Sequence, residues 1–228
     1  MPANKGMGVQ GREQIMGKYE KILIVLVIGS LWGAMELFGR DIFRAIGVPQ
    51  KSALLFGLGI IILYASKKLV DVPGSVVLMA LIAGLFKMAS SYFFPCQFSA
   101  VIINGIVFDI TYTTFKERLD SSPVFRTVAA PVIVYVSYAV FALFAAYILR
   151  EASWAERGWA GVVSYLRADA LTASVITIVT IHIGYYLGKA VQPLALPRTT
   201  RMPVVAFRVV SVALLAAIWV AGQIYVTM

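Results

Sequence analysis

Long apolar runs dominate this chain, and no other feature restricts its fold as strongly. Bounded by charge and by Pro or Gly, they fall near 22–38, 52–66, 72–92, 96–115, 124–149, 168–190 and 204–226. About 20 apolar residues coil into a helix that crosses a hydrocarbon core of about 30 Å, and a helix satisfies its backbone polar groups within the segment itself. With 60% apolar and only 14% charged residues, a water-soluble domain would have nowhere to hide that surface. The predicted fold class is therefore an all-α integral membrane protein, a bundle of six to seven transmembrane helices embedded in the lipid bilayer. The run at 52–66 is short, which fits a tilted or partly re-entrant helix.

Charge sets the expected topology. The net charge of +9 fits basic cytoplasmic loops rather than a nucleic-acid surface, because Lys and Arg accumulate on the inner side of membrane proteins. With the N-terminus inside, the inner segments hold Lys5, Arg12, Lys18, Lys21, Lys67, Lys68, Lys116, Arg118, Arg126, Lys189, Arg198, Arg201 and Arg208. The outer ones hold Arg40, Arg44, Lys51, Arg150, Arg157 and Arg167. This predicts a cytoplasmic N-terminus, an exterior C-terminus if the last run spans, and a multi-pass location in the inner or plasma membrane. Residues 1–21 read as a cytoplasmic tail without an apolar targeting core, and 22–228 as one transmembrane domain. The two longer connections, Arg40 to Lys51 and Arg150 to Arg167, face outward, and Trp154 and Trp159 fit an interfacial belt.

Several chemistries lack a sequence basis. No G-x4-G-K-[ST] pattern occurs, so any ATP-driven movement draws on a separate subunit. Neither paired carboxylates, a Ser/His/Asp set nor H-E-x-x-H spacing is present, and no enzyme activity is expected. His182 is the only histidine, and its helical neighbours Val175, Ile178, Val179, Tyr185 and Tyr186 include no carboxylate or thiolate; it reads as a buried, hydrogen-bonded side chain. No metal or cofactor is expected. Cys96, the lone cysteine, reads as a structural thiol.

The informative residues are polar ones inside apolar runs, each costly at the bilayer centre, about 2.5–3.5 kcal/mol for a charged one, unless it faces protein, water or a ligand. Gly29, Gly33 and Glu36 share one face of the first helix; Ala80, Gly84 and Lys87 repeat the spacing in the third. Small residues four apart let helices approach closely. The spacing puts Glu36 and Lys87 at similar depth in the outer half, either as a structural ion pair, or with Lys87 instead snorkelling to the outer headgroups, or as part of a ligand site. Gln97 and Asn104 are seven apart and aligned, with Thr111 continuing the line inward, and a carboxamide can orient a polar ligand or join two helices. Asp109 lies off that face and nearer the inner side, as a proton or cation site or as the partner of an inner basic group.

The stretch Gly29 to Phe115 resembles the substrate-binding membrane subunits, or S components, of energy-coupling factor importers. The resembling elements are Ser30-Leu31-Trp32-Gly33-Ala34 in the first helix, Gly47-Val48-Pro49, Asp71-Val72-Pro73-Gly74-Ser75, and Pro95 ahead of a helix carrying Asn104-Gly105. The resemblance implies capture of a vitamin-like small molecule from outside and docking onto a transmembrane coupling subunit with two ATPase subunits. It gives Gly29, Ser30, Gly33 and Ala34 the docking role. The run at 204–226 departs from the family's six-helix pattern. The residues themselves point the same way: Glu36, Lys87, Tyr92, Gln97 and Asn104 project to the outer half and form the candidate ligand site, closed by the loops after the first and fifth helices. The alternative is an ion- or proton-coupled secondary transporter with Asp109 as its coupling residue.

Overall fold

A computed structural model describes residues 17–88, 95–195 and 204–227. The helices are α1 (Lys18–Ala45), α2 (Lys51–Leu69), α3 (Ser75–Met88), α4 (Pro95–Ser121), α5 (Pro123–Leu143), α6 (Ala152–Ala155), α7 (Gly158–Tyr165), α8 (Leu171–Ala195) and α9 (Val204–Thr227). Two π-helical turns interrupt the pattern: Phe144–Ile148 prolongs α5, and Leu166–Ala170 joins α7 to α8. Among the described residues, six helical stretches are long and apolar enough to cross a membrane, including Pro123–Ile148 and Gly158–Gln192. The chain is a multi-pass, all-α integral membrane protein.

Three boundaries differ from those read in the sequence. The third run becomes helical at Ser75 rather than at 72, because Asp109 accepts from the Gly74 and Val76 amides and fixes that start inside the bundle; residues 89–94, where the predicted run ends, lie outside the described residues. The long connection at Arg150 to Arg167 is largely helical, and the sixth span begins at Gly158 rather than 168, its apolar run hidden behind Arg167 and Asp169. Helix α4 continues to Ser121 past Phe115, whose φ of −117° and ψ of 21° leave helical geometry and bend the helix where its apolar run ends. Local chemistry explains the next turn: the Ser122 hydroxyl accepts from the Phe125 amide at 3.1 Å and Pro123 occupies the first helical position, the combination that starts a helix. The tail at 1–16, with Lys5 and Arg12, lies outside the described residues.

Small residues set the helix contacts. A Cβ on Gly33 would stand 2.6 Å from Phe86 Cβ and 3.0 Å from Ala83 Cα, and one on Gly29 would stand 2.9 Å from the Met79 carbonyl, so α1 and α3 run parallel in near-backbone contact. Gly184 and Gly188 do the same for α8 against Ile61, Tyr64, Ala65 and Lys68 of α2. Helix α9 lies along α1: Arg208 meets Glu20 at one end, Trp219 Nε1 donates to Ser30 Oγ at 2.9 Å, and Tyr225 donates to Asp41 at the other end. Its remaining faces carry exposed valines such as Val205, Val209 and Val212, suited to acyl chains.

The two ends of the bundle differ. At the end formed by the start of α1 and the end of α2, the described buried charges are held by ion pairs, hydrogen bonds or ring stacking. Lys67 Nζ reaches Asp109 Oδ1 at 2.8 Å and donates to the Val72 carbonyl at 2.9 Å. Asp109 also accepts from the Gly74 and Val76 amides at 2.7 and 3.2 Å, capping α3 where the helix dipole favours an anion. Lys68 pairs with Asp120 at 2.5 Å. Arg126 donates to the Leu119 carbonyl at 2.7 Å and stacks on Tyr185 at 3.8 Å. His182 bonds Thr127 Oγ1 at 3.0 Å and is half-buried beside Arg126. The opposite end holds a cavity.

Candidate ligand-binding cavity

A cavity of about 560 Å³ lies where α1 ends, α2 begins, α4 begins and α5 ends, within the range of small-molecule sites. Its polar wall is Glu36 and Arg40 of α1, Lys87 of α3, and Gln97 and Asn104 of α4. Its aromatic wall is Phe56 of α2, Tyr138 and Phe141 of α5, and Tyr165 of α7. Val48, Pro49 and Gln50, from the connection after α1, complete the rim with Lys51 and Ser52. Gln50 takes a positive φ of 56° there, which turns the chain directly into α2.

Four of the five residues predicted to gather at a ligand site therefore share one cavity; the fifth, Tyr92, lies outside the described residues. Glu36 and Lys87 form an ion pair at 2.8 Å, with side chains 9% and 12% exposed. Close packing at Gly29 and Gly33 brings α3 near enough for Lys87 to reach across. Gln97 and Asn104 make no side-chain hydrogen bond among the described residues, so their donors and acceptors are available to a guest. Thr111, which continues their line, is bonded instead to the Val107 carbonyl of its own helix.

Sequence reasoning missed the aromatic half. Tyr138 and Tyr165 stack at 5.0 Å with 17° between their rings, Phe56 meets Tyr138 edge-on, and Trp154 meets Tyr165 edge-on at 5.0 Å. Trp154 thus supports the cavity wall, whereas Trp159 is 63% exposed. Ser137 and Asp169, also unanticipated, line the same space. The wall predicted from the loop after the fifth helix is supplied by Tyr165 and Asp169 of the longer sixth span. A tyrosine just before the expected span and a carboxylate at its start were a usable signal; reading 150–167 as loop concealed it.

The chain matches no family model, no curated protein and no solved structure. What the cavity can do follows from its own chemistry: aromatic rings, the Glu36–Lys87 ion pair, and two carboxamides that make no side-chain hydrogen bond among the described residues.

The four small residues assigned to docking are spent within the chain. Gly29 and Gly33 face α3, Ser30 is fully buried and bonded to Trp219 of α9, and Ala34 is buried too. None is left on the outer surface of the bundle, because α3 and α9 cover that face.

The ion pair yields a prediction. Glu36→Gln or Lys87→Met alone leaves one charge unmatched in a low-dielectric wall, whereas both together remove the problem. In a double-mutant cycle scored by unfolding in mixed micelles, the double variant should recover about 1–2 kcal/mol relative to the sum of the singles. Strict additivity would show that the two charges do not depend on each other.

Proposed function

We propose that this protein captures a small, ring-bearing polar molecule from outside the cell and serves as the substrate-binding membrane subunit of an uptake system, energised by separate coupling and ATPase subunits. The observation that carries this reading is the cavity itself, whose polar wall leaves Gln97 and Asn104 without a side-chain hydrogen bond among the described residues, beside an aromatic wall. Polar groups left open inside an apolar bundle are costly, and a guest that fills the hydrogen bonds and stacks on the tyrosines offsets that cost. In the orientation favoured by the positive charges, the cavity opens outward and the end holding the Lys67–Asp109 and Lys68–Asp120 pairs faces the cytoplasm, as capture for uptake requires.

Asp109 weighs against the secondary-transporter alternative. It accepts three hydrogen bonds, from Lys67, Gly74 and Val76, at the end remote from the cavity, which gives it the role of a fixed helix cap rather than of a site that loads and releases a coupling ion.

Side-specific labelling tests the reading. Ser52→Cys in a Cys96→Ser background puts a near-isosteric thiol on the exposed rim. A membrane-impermeant maleimide should label it in intact cells. Labelling only after permeabilisation would turn the cavity to the cytoplasm and defeat the uptake assignment.

A further inference from the structure

We infer that the cavity selects an organic cation, a ring or short chain bearing a permanent or protonated positive charge, with Asp169 as its counter-ion and the Tyr138–Tyr165 stack as its aromatic bed. This rests on the capture reading and specifies its ligand class. Asp169 lines the cavity together with Tyr138 and Tyr165. It sits in the π-helical turn Leu166–Ala170, an insertion of the kind that interrupts helices at functional sites. Tyr165 and Asp169, four residues apart on either side of that turn's start, both face the cavity.

Charge matching singles this carboxylate out. Glu36, the other acid of the lining, is held by Lys87. Asp169 is half-buried and makes no ion pair among the described residues. Arg157, which acts on it from farther off, donates to the Ser153 carbonyl and lies over the Trp154 ring at 5.4 Å. A carboxylate left open beside π faces is the combination that binds ammonium and pyridinium groups, since the ring quadrupole and the anion attract the same charge. Ser137 supplies a second, independent observation: its hydroxyl is fully buried, lines the cavity next to Tyr138, and has no hydrogen-bond partner among the described residues. A buried hydroxyl without a partner is uncommon, and a guest held at Asp169 would give it one. Arg40 and Lys51 of the same lining also make no ion pair among the described residues, so an acidic group on the same molecule has a partner in the cavity.

The test uses the full chain in lipid nanodiscs with matched probes: 1-methylpyridinium-3-carboxamide against its neutral parent pyridine-3-carboxamide, and benzyltrimethylammonium against benzyl alcohol. Equilibrium binding should favour each cation over its neutral partner by about tenfold or more, an order set by the strength of desolvated cation–π and ion-pair contacts. Asp169→Asn should abolish the preference, Asp169→Glu should retain most of it, and Ser137→Ala should weaken binding several-fold. Asp169→Asn removes no ion pair among the described residues, so its unfolding temperature without probe should match the wild type; a purely structural carboxylate would lower it. Equal binding of cation and neutral partner, or a preference that survives Asp169→Asn, would overturn the counter-ion assignment. That failure is separable from failure of the capture reading, which the rim-labelling result decides without any probe.

Discussion

Asp109→Asn should destabilise the protein by about 3–5 kcal/mol, the range measured when one partner of a buried ion pair is removed. Lys67 is only 1% exposed, and the substitution strands its ammonium with the Val72 carbonyl as its remaining close acceptor. The same change weakens the cap of α3, since a carboxamide oxygen accepts less strongly from the Gly74 and Val76 amides than a carboxylate does. Lys67→Met should cost less, because Asp109 then keeps both amide bonds and the helix dipole. The double variant should fall between the wild type and Asp109→Asn. Unfolding in mixed micelles measures all three, and equal losses from Asp109→Asn and Lys67→Met would show that the cap contributes nothing to the asymmetry.

Gly33→Leu should cost about 1–3 kcal/mol, the range of overpacking in well-filled interiors, and should also weaken ligand binding. The new Cβ alone would meet Phe86 Cβ at 2.6 Å and the Ala83 backbone at 3.0 Å, so α3 must move away. Phe86 cannot yield freely, because it packs against Trp219 at 5.1 Å and fills the space over Gly222. Lys87 follows Phe86 in the chain, and displacing α3 pulls it from Glu36 at the cavity wall. Gly39→Ala is the control: its Cβ would approach only Leu55 Cδ2, the end of a flexible side chain, and should have little effect. Unfolding and equilibrium binding measured together would reveal the coupling. A Gly33→Leu protein with unchanged stability would contradict the close α1–α3 contact.

The fold was legible in the sequence wherever one physical term dominated. Apolar run length identified the spans, and the spacing of Gly29, Gly33 and Glu36 against Ala80, Gly84 and Lys87 identified a parallel contact with an ion pair at its end. The third helix starts at Ser75 rather than at 72 because Asp109 fixes that end, which hydropathy alone does not show. The sixth span was underestimated because Arg167 and Asp169 resemble a helix boundary in sequence, whereas a π-turn carries the chain through them as helix. That error hid half of the cavity. Its polar wall was readable, since Glu36, Lys87, Gln97 and Asn104 are conspicuous in apolar surroundings. Its aromatic wall was not, since Tyr138 and Phe141 look like any other residues of a membrane helix until α5 and α7 are brought together. The small-residue face was read correctly as a close-packing surface, but its partners are α3 and α9 of this chain. The equivalent pair Gly184 and Gly188, which seats α8 on α2, shows the same four-residue spacing and went unread.

The most direct measurement is the small-molecule content of the protein itself. Wild type and Asn104→Trp, the latter filling the cavity from its α4 wall, would be purified from the native membrane, denatured, and the released compounds identified by mass spectrometry. The wild type should release one compound at close to one per chain, and Asn104→Trp should release little while keeping its helical content and unfolding temperature. Equal release from both proteins, or none from either, would contradict a capture role for the cavity.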